Sequence, residues 1–214
     1  MADAAFRLPR IKVCGLRGPR DIALAGPSLD AAGLVEHPPS PRALDAQAAR
    51  ALVDALPAHV ATVAVFVDRS VDQVRAWLRA SGASCAQLCG DEDPQAFCEL
   101  DAPILRRLAV DASAFAELDR WRDVAQGFVL DHPAAAGGTG RAVELELAAE
   151  LAAQAPCLLA GGLDPDNVAE RVRRVRPAGV DASSRLERTP GEKDPERVAR
   201  FVEAAATALQ EVHA

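Results

Sequence analysis

Cys157-Leu158-Leu159-Ala160-Gly161-Gly162-Leu163-Asp164-Pro165 compresses a strand, a turn and a helix start into one short stretch. Residues 157–160 form a short apolar run. The two glycines let the chain turn tightly. Asp-Pro then supplies a cap followed by proline at the first helical position, where a missing N–H costs nothing. The same pattern recurs along the chain. Apolar runs stand at 11–14, 31–35, 62–67, 85–88, 104–108, 127–131, 157–160 and 179–182. Helical patterns occupy 45–56, 71–80, 164–175 and 194–209. Asp68 and Ser70 are candidate caps for the second, and Asp194-Pro195 opens the fourth. A less sharply bounded helix follows Thr139, and a short one follows Asp93. Strands alternating with helices signal βα units and a parallel sheet. Eight such units in 214 residues predict a compact (β/α)8 TIM barrel, a single domain over 1–214. A flavodoxin-like open sheet is the alternative, but it needs only about five or six strands.

Composition narrows the function. The formal net charge of -7 argues against a nucleic-acid surface, which needs a basic patch. It does not exclude a phosphorylated ligand, because backbone N–H groups bind phosphate without net positive charge. No apolar run is long enough to span a bilayer. The opening MADAAFRLPR lacks the apolar core of a secretory signal, so the cytoplasm is expected. Five cysteines at irregular spacing favour free thiols over a disulfide framework. Cys85 and Cys89 would lie roughly 13 Å apart along a strand, too far for one zinc ion. No metal site is expected.

In a barrel of this kind the chemistry sits at the C-terminal ends of the strands. The first strand ends in Lys12-Val13-Cys14-Gly15. Alternation puts Lys12 and Cys14 on one face, where a buried ammonium would favour the thiolate of Cys14. Asp131 ends the apolar run 127–131, and a carboxylate there is expensive to bury without a task or partner. Strand four gives Cys89, and strand eight gives Asp181. Gly161-Gly162 follow strand seven and Ser183-Ser184 follow strand eight, the two loops that build the recurrent phosphate site of such barrels. Glycines let the backbone approach an anion, and serines offer hydroxyl donors. Gly137-Gly138-Thr139-Gly140 is a candidate phosphate cradle or lid. His37 and His132 fall in loops of the same face.

Taken in chain order, these pieces resemble the motif set of one family. Lys12-Val13-Cys14-Gly15-Leu16 opens it, followed by Pro38-Pro39-Ser40-Pro41-Arg42, Val65-Phe66-Val67 and Gln87-Leu88-Cys89-Gly90-Asp91-Glu92. Leu130-Asp131, the glycine-rich loop, Ala160-Gly161-Gly162-Leu163, Asn167-Val168, Asp181-Ala182-Ser183-Ser184 and Pro190-Gly191-Glu192-Lys193-Asp194 continue it. The set resembles the phosphoribosylanthranilate isomerases of tryptophan biosynthesis over essentially the whole chain. The resemblance implies an Amadori rearrangement of N-(5-phosphoribosyl)anthranilate to 1-(o-carboxyphenylamino)-1-deoxyribulose 5-phosphate, with no cofactor and no metal. It implies Asp131 as the acid that opens the ring and Cys14 as the base that takes the C2 proton. Arg42 would hold the anthranilate carboxylate, with Cys89 and Asp181 also at the substrate. Gly161, Gly162, Ser183, Ser184 and Arg185 would hold the phosphate. The partner is a small phosphorylated molecule, and monomer and homodimer are both compatible.

The chain departs from the family at several points. Cys89 replaces a histidine, Arg17 a threonine, Arg141 a lysine and Ala64 a glycine. Arg185 stands where a glycine is usual, and two outcomes follow. If Arg185 takes a positive φ, the phosphate end is strained. If it does not, its guanidinium can add a contact. The alternative function is a diverged paralogue that acts on, or merely binds, another phosphosugar.

Overall fold

The protein is described by a computed structural model covering residues 6–23, 26–133 and 142–214. Eight strands form a closed parallel barrel: β1 Ile11–Cys14, β2 Ala31–Glu36, β3 Ala61–Phe66, β4 Cys85–Leu88, β5 Ile104–Ala109, β6 Gly127–Asp131, β7 Cys157–Leu159 and β8 Gly179–Ala182. β1 pairs with both β2 and β8, which closes the sheet on itself. Around it lie α1 Pro19–Ile22, α2 Ala46–Ala55, α3 Val71–Ser81, α4 Pro94–Phe97, α5 Ala114–Trp121, α6 Leu145–Ala152, α7 Val168–Val175 and α8 Pro195–His213. The predicted strands are all present, with ends shifted by a residue or so. The open-sheet alternative is excluded by the β1–β8 pairing.

The helices start where local chemistry satisfies their free amides. Asp45 accepts from Ala48 N at the start of α2. Ser70, rather than Asp68, caps α3 in a reciprocal capping box with Gln73. Asp194 caps α8, with Pro195 in its first turn. The expected start of α7 at Asp164 is corrected to Val168. The Asp164 carboxylate accepts from the amides of Asp166 and Asn167, and Asn167 Oδ1 accepts from Asp164 N. This closed turn uses the cap residue before the helix begins.

Outward-facing strand residues such as Ile11, Val13, Phe66, Leu88, Phe128 and Leu130 join the helix faces in one main core. Helix α5 contributes Ala114, Leu118 and Trp121 at helical spacing. Inside the barrel, Ala31, Val63, Cys85, Leu105, Val129 and Leu158 fill a lower layer, and Val35, Val65 and Cys89 an upper one. Lys12, Gln87 and Asp181 are also buried and alternate onto the inner face of their strands.

Arg106 faces outward from β5 and is buried among the helices. It reaches Glu92 at 2.7 Å, Glu117 at 2.8 Å and the Gly90 carbonyl at 2.8 Å, and its guanidinium lies 4.8 Å from the Trp121 ring centroid. Removing it leaves the Glu92 carboxylate, whose side chain is 1% exposed, without its cation and held, among the described residues, by the Asp68 amide alone. Arg106→Leu is therefore expected to destabilise the fold by about 3–5 kcal/mol in urea unfolding. A loss under about 1 kcal/mol would contradict the assignment of Arg106 to the structural core.

After β8 the chain makes a single 3₁₀ turn, Ser184–Leu186, then a small antiparallel hairpin, β9 Glu187–Thr189 and β10 Glu192–Lys193. No helix among the described residues is long and apolar enough to cross a membrane.

Candidate active site

The strand ends converge on a cavity of about 370 Å³. Cys14, Arg42, Cys89, Asp131, Asp181, Gly161, Gly162, Ser183, Ser184 and Arg185 all line it. The glycine-rich loop 137–140 and Arg141 lie outside the described residues.

Cys14 is half-buried at the end of β1. Its side chain has room because β2 carries glycine opposite. A Cβ on Gly33 would stand 2.7 Å from the Cys14 sulfur. Beneath it, the fully buried Lys12 Nζ donates to Asp181 Oδ2 at 2.7 Å. Burial works against the charge on Lys12, but Asp181 and the neighbouring thiol hold its pKa above the ordinary value. The expectation of a readily formed thiolate is corrected. Burial pushes the Cys14 thiol above its ordinary value of 9.0 and outweighs the pull of Lys12. Asp181, directly paired with that ammonium, adds a negative charge that raises the thiol further.

Asp131 ends β6 on the same cavity. Its Oδ1 accepts from His132 N at 2.8 Å, and its Oδ2 lies 3.8 Å from Arg107 Nε. Burial raises its pKa above 3.8 despite these contacts. That makes a carboxyl group able to keep, and then donate, a proton at higher pH. Lys12 acts electrostatically on both Cys14 and Asp131. Cys89 is buried, accepts from Gln87 Nε2 at 3.4 Å, and has its thiol pushed up to about 12 by burial. It faces the cavity as a neutral, weakly polar group.

Arg42 comes from the loop before α2. Its Nε and Nη2 donate to the two carboxylate oxygens of Glu187, each at 2.7 Å. Lys193 Nζ donates to Glu187 at 2.7 Å and to the Ser183 carbonyl at 3.1 Å. Burial alone would raise the Glu187 pKa, but these two cations hold it below its ordinary value. The Ser183 hydroxyl in turn donates to the Cys14 carbonyl at 2.9 Å. The hairpin therefore ties the loop of Arg42 to the loop of Ser183. Sequence reasoning missed Glu187 and gave Lys193 no role. Their signal was the burial of charged residues in a hairpin with no apolar pattern, which only the closed fold reveals.

At the opposite end, Gly161 and Gly162 both take left-handed backbone, φ +76 and +65. Arg185 is half-exposed in the 3₁₀ turn, and Asp68 and Arg176 are the non-glycine residues with positive φ among those described. The strained outcome for Arg185 is thereby excluded. Its guanidinium borders the cavity, 3.9 Å from Asp164.

A family model described as N-(5'-phosphoribosyl)anthranilate (PRA) isomerase matches residues 11–204. The N-(5'-phosphoribosyl)anthranilate isomerase of Neisseria gonorrhoeae is 39% identical, covering 94% of this chain and 98% of that protein. The structure of phosphoribosyl anthranilate isomerase from Thermus thermophilus superposes with a TM-score of 0.83 at 32% identity, over 92% of this chain and 98% of that one. A second structure of such an isomerase superposes equally, TM-score 0.83 at 25% identity, over 94% of this chain and all of that one. It holds reduced 1-(o-carboxyphenylamino)-1-deoxyribulose 5-phosphate.

Proposed function

The chain belongs to the N-(5'-phosphoribosyl)anthranilate isomerase family, and we propose that its cavity rearranges the aminoaldose with Asp131 as acid and Cys14 as base. The activity is an aldose–ketose isomerisation in tryptophan biosynthesis. The observation that carries the residue assignment is the meeting of the Asp131 carboxyl, the Cys14 thiol and the Arg42 guanidinium in one cavity with the two-glycine loop.

Asp131 gives its proton to the furanose ring oxygen, the ring opens, and nitrogen stabilises the C1 cation as an iminium. The Cys14 thiolate then removes the C2 proton, and the iminium takes up the electron pair to give an enol. Gain of a proton at C1 and loss of one from the C2 hydroxyl complete the ketone. The iminium is the electron sink, so the base needs only proximity and ionisation. Arg42 meets the anthranilate carboxylate with the edge that Glu187 leaves open, through Nη1 and the second Nη2 proton. Gly161, Gly162, Ser183 and Ser184 receive the phosphate, with the Arg185 side chain beside them. Asp181 and Cys89 border the sugar. The substrate is a small phosphorylated molecule.

The pH dependence follows from two raised values. Catalysis requires Asp131 protonated and Cys14 ionised. The acid value lies below the base value, so kcat/KM rises with pH up to the Asp131 value, levels off, and falls above the Cys14 value. The acidic limb is expected above pH 3.8 and the alkaline limb above pH 9.0. A free-enzyme profile with its alkaline limb near neutrality would contradict this assignment.

The functional test is rescue of a tryptophan auxotroph lacking this isomerase. The wild-type chain is expected to restore growth without tryptophan, and Cys14→Ser is not. Absence of rescue by a well-expressed wild-type chain would favour action on another phosphosugar.

A further inference from the structure

Arg171 lies in α7, outside the cavity lining, yet it is half-buried and turned toward the back of the two-glycine loop. Its Nη1 donates to the Gly161 carbonyl at 3.1 Å and lies 3.5 Å from the Gly162 carbonyl. One helical turn earlier, Asn167 Nδ2 donates to the same Gly162 carbonyl at 2.9 Å. The spacing of four residues brings both side chains to one spot on the helix. Asn167 is itself fixed, because its Oδ1 accepts from Asp164 N at 3.0 Å.

The peptide unit is planar and trans, so a carbonyl drawn one way aims the next amide the other way. With the Gly161 and Gly162 carbonyls drawn back to α7, the amides of Gly162 and Leu163 face away from the helix. Gly161, Gly162 and Leu163 line the cavity on that side. Neither amide donates to a protein acceptor among the described residues. Consecutive free amides of this kind make an anion-binding concavity. Among the described residues the partners of the Arg171 guanidinium are the Gly161 and Gly162 carbonyl oxygens.

We propose that Arg171, supported by Asn167, is a positioning residue for phosphate: it fixes the Gly161 and Gly162 carbonyls so that the Gly162 and Leu163 amides are aimed at the anion before it arrives. The inference rests on the reading that the phosphate occupies this end of the cavity. Arg171 touches no reacting atom, so its effect falls on binding and spares the chemical step. Both contacts come from the one Nη1 atom, so an ammonium on a shorter stem can reproduce them only in part.

The test compares wild type, Arg171→Ala and Arg171→Lys by steady-state kinetics, with inorganic phosphate as the probe inhibitor. In Arg171→Ala, KM and the phosphate inhibition constant are expected to rise together by roughly tenfold, the weight of one charge-assisted hydrogen bond. The kcat is expected to change by less than about twofold, and Arg171→Lys to recover part of the loss. Should Arg171→Ala fail to fold, Arg171→Gln makes the same comparison with a neutral donor. Unchanged KM and unchanged phosphate inhibition, or a fall in kcat alone, would overturn the role of Arg171. If the active wild type is not inhibited competitively by phosphate, the placement of phosphate here fails instead.

Discussion

Cys14→Ser is expected to lower kcat by about 10²–10⁴-fold while leaving the fold intact, the range that removal of a positioned base commands. Serine is close to cysteine in size, and the space that Gly33 leaves for the sulfur accepts an oxygen without repacking. Its hydroxyl has no accessible anionic form near neutrality, even beside the Lys12–Asp181 pair. The anion-holding groups around Gly162 and Arg42 are untouched, so KM and competitive inhibition by phosphate should stay near the wild-type values. Steady-state kinetics with a thermal melt beside them provide the check. A variant retaining more than about a tenth of wild-type kcat would remove Cys14 from the base role.

The second large effect is expected of Asp131→Asn. The amide keeps the shape, and its oxygen can still accept from His132 N. It has no proton to give the ring oxygen, so ring opening should slow by about 10²–10⁴-fold. The level-off at the Asp131 value and the alkaline fall should vanish with it, so that the residual kcat/KM rises with pH up to the Cys14 value and then stays level. Loss of activity with the wild-type level-off and alkaline fall preserved would assign them, and the acid, to another group.

These two residues were legible because a barrel brings the ends of distant strands together. Once the eight runs are read as strands, Cys14 and Asp131 must open on one face. The apolar runs were legible because their outward residues pack against helices, as Phe128 and Leu130 do on either side of Val129. The β9–β10 hairpin was not, because Glu-Arg-Thr and Glu-Lys carry no apolar alternation. The sign of the Cys14 shift was misread for a related reason. Lys12 was visible two residues away, but the burial of the thiol in the closed barrel, which outweighs it, was not, nor was Asp181, 169 positions distant, which meets Lys12 only when β8 pairs with β1. The Arg42–Glu187 pair, 145 positions apart, was hidden in the same way. Arg185 was flagged as a departure, and its ordinary backbone removes the strain that a replaced glycine suggested.

Incubation of the purified chain with N-(5'-phosphoribosyl)anthranilate, followed by the change in anthranilate fluorescence, reads the isomerisation itself. Wild-type protein should convert the substrate with no cofactor or metal added, and Cys14→Ser at the same concentration should leave it essentially unconverted. No conversion by folded wild-type protein, or equal conversion by Cys14→Ser, would contradict the account.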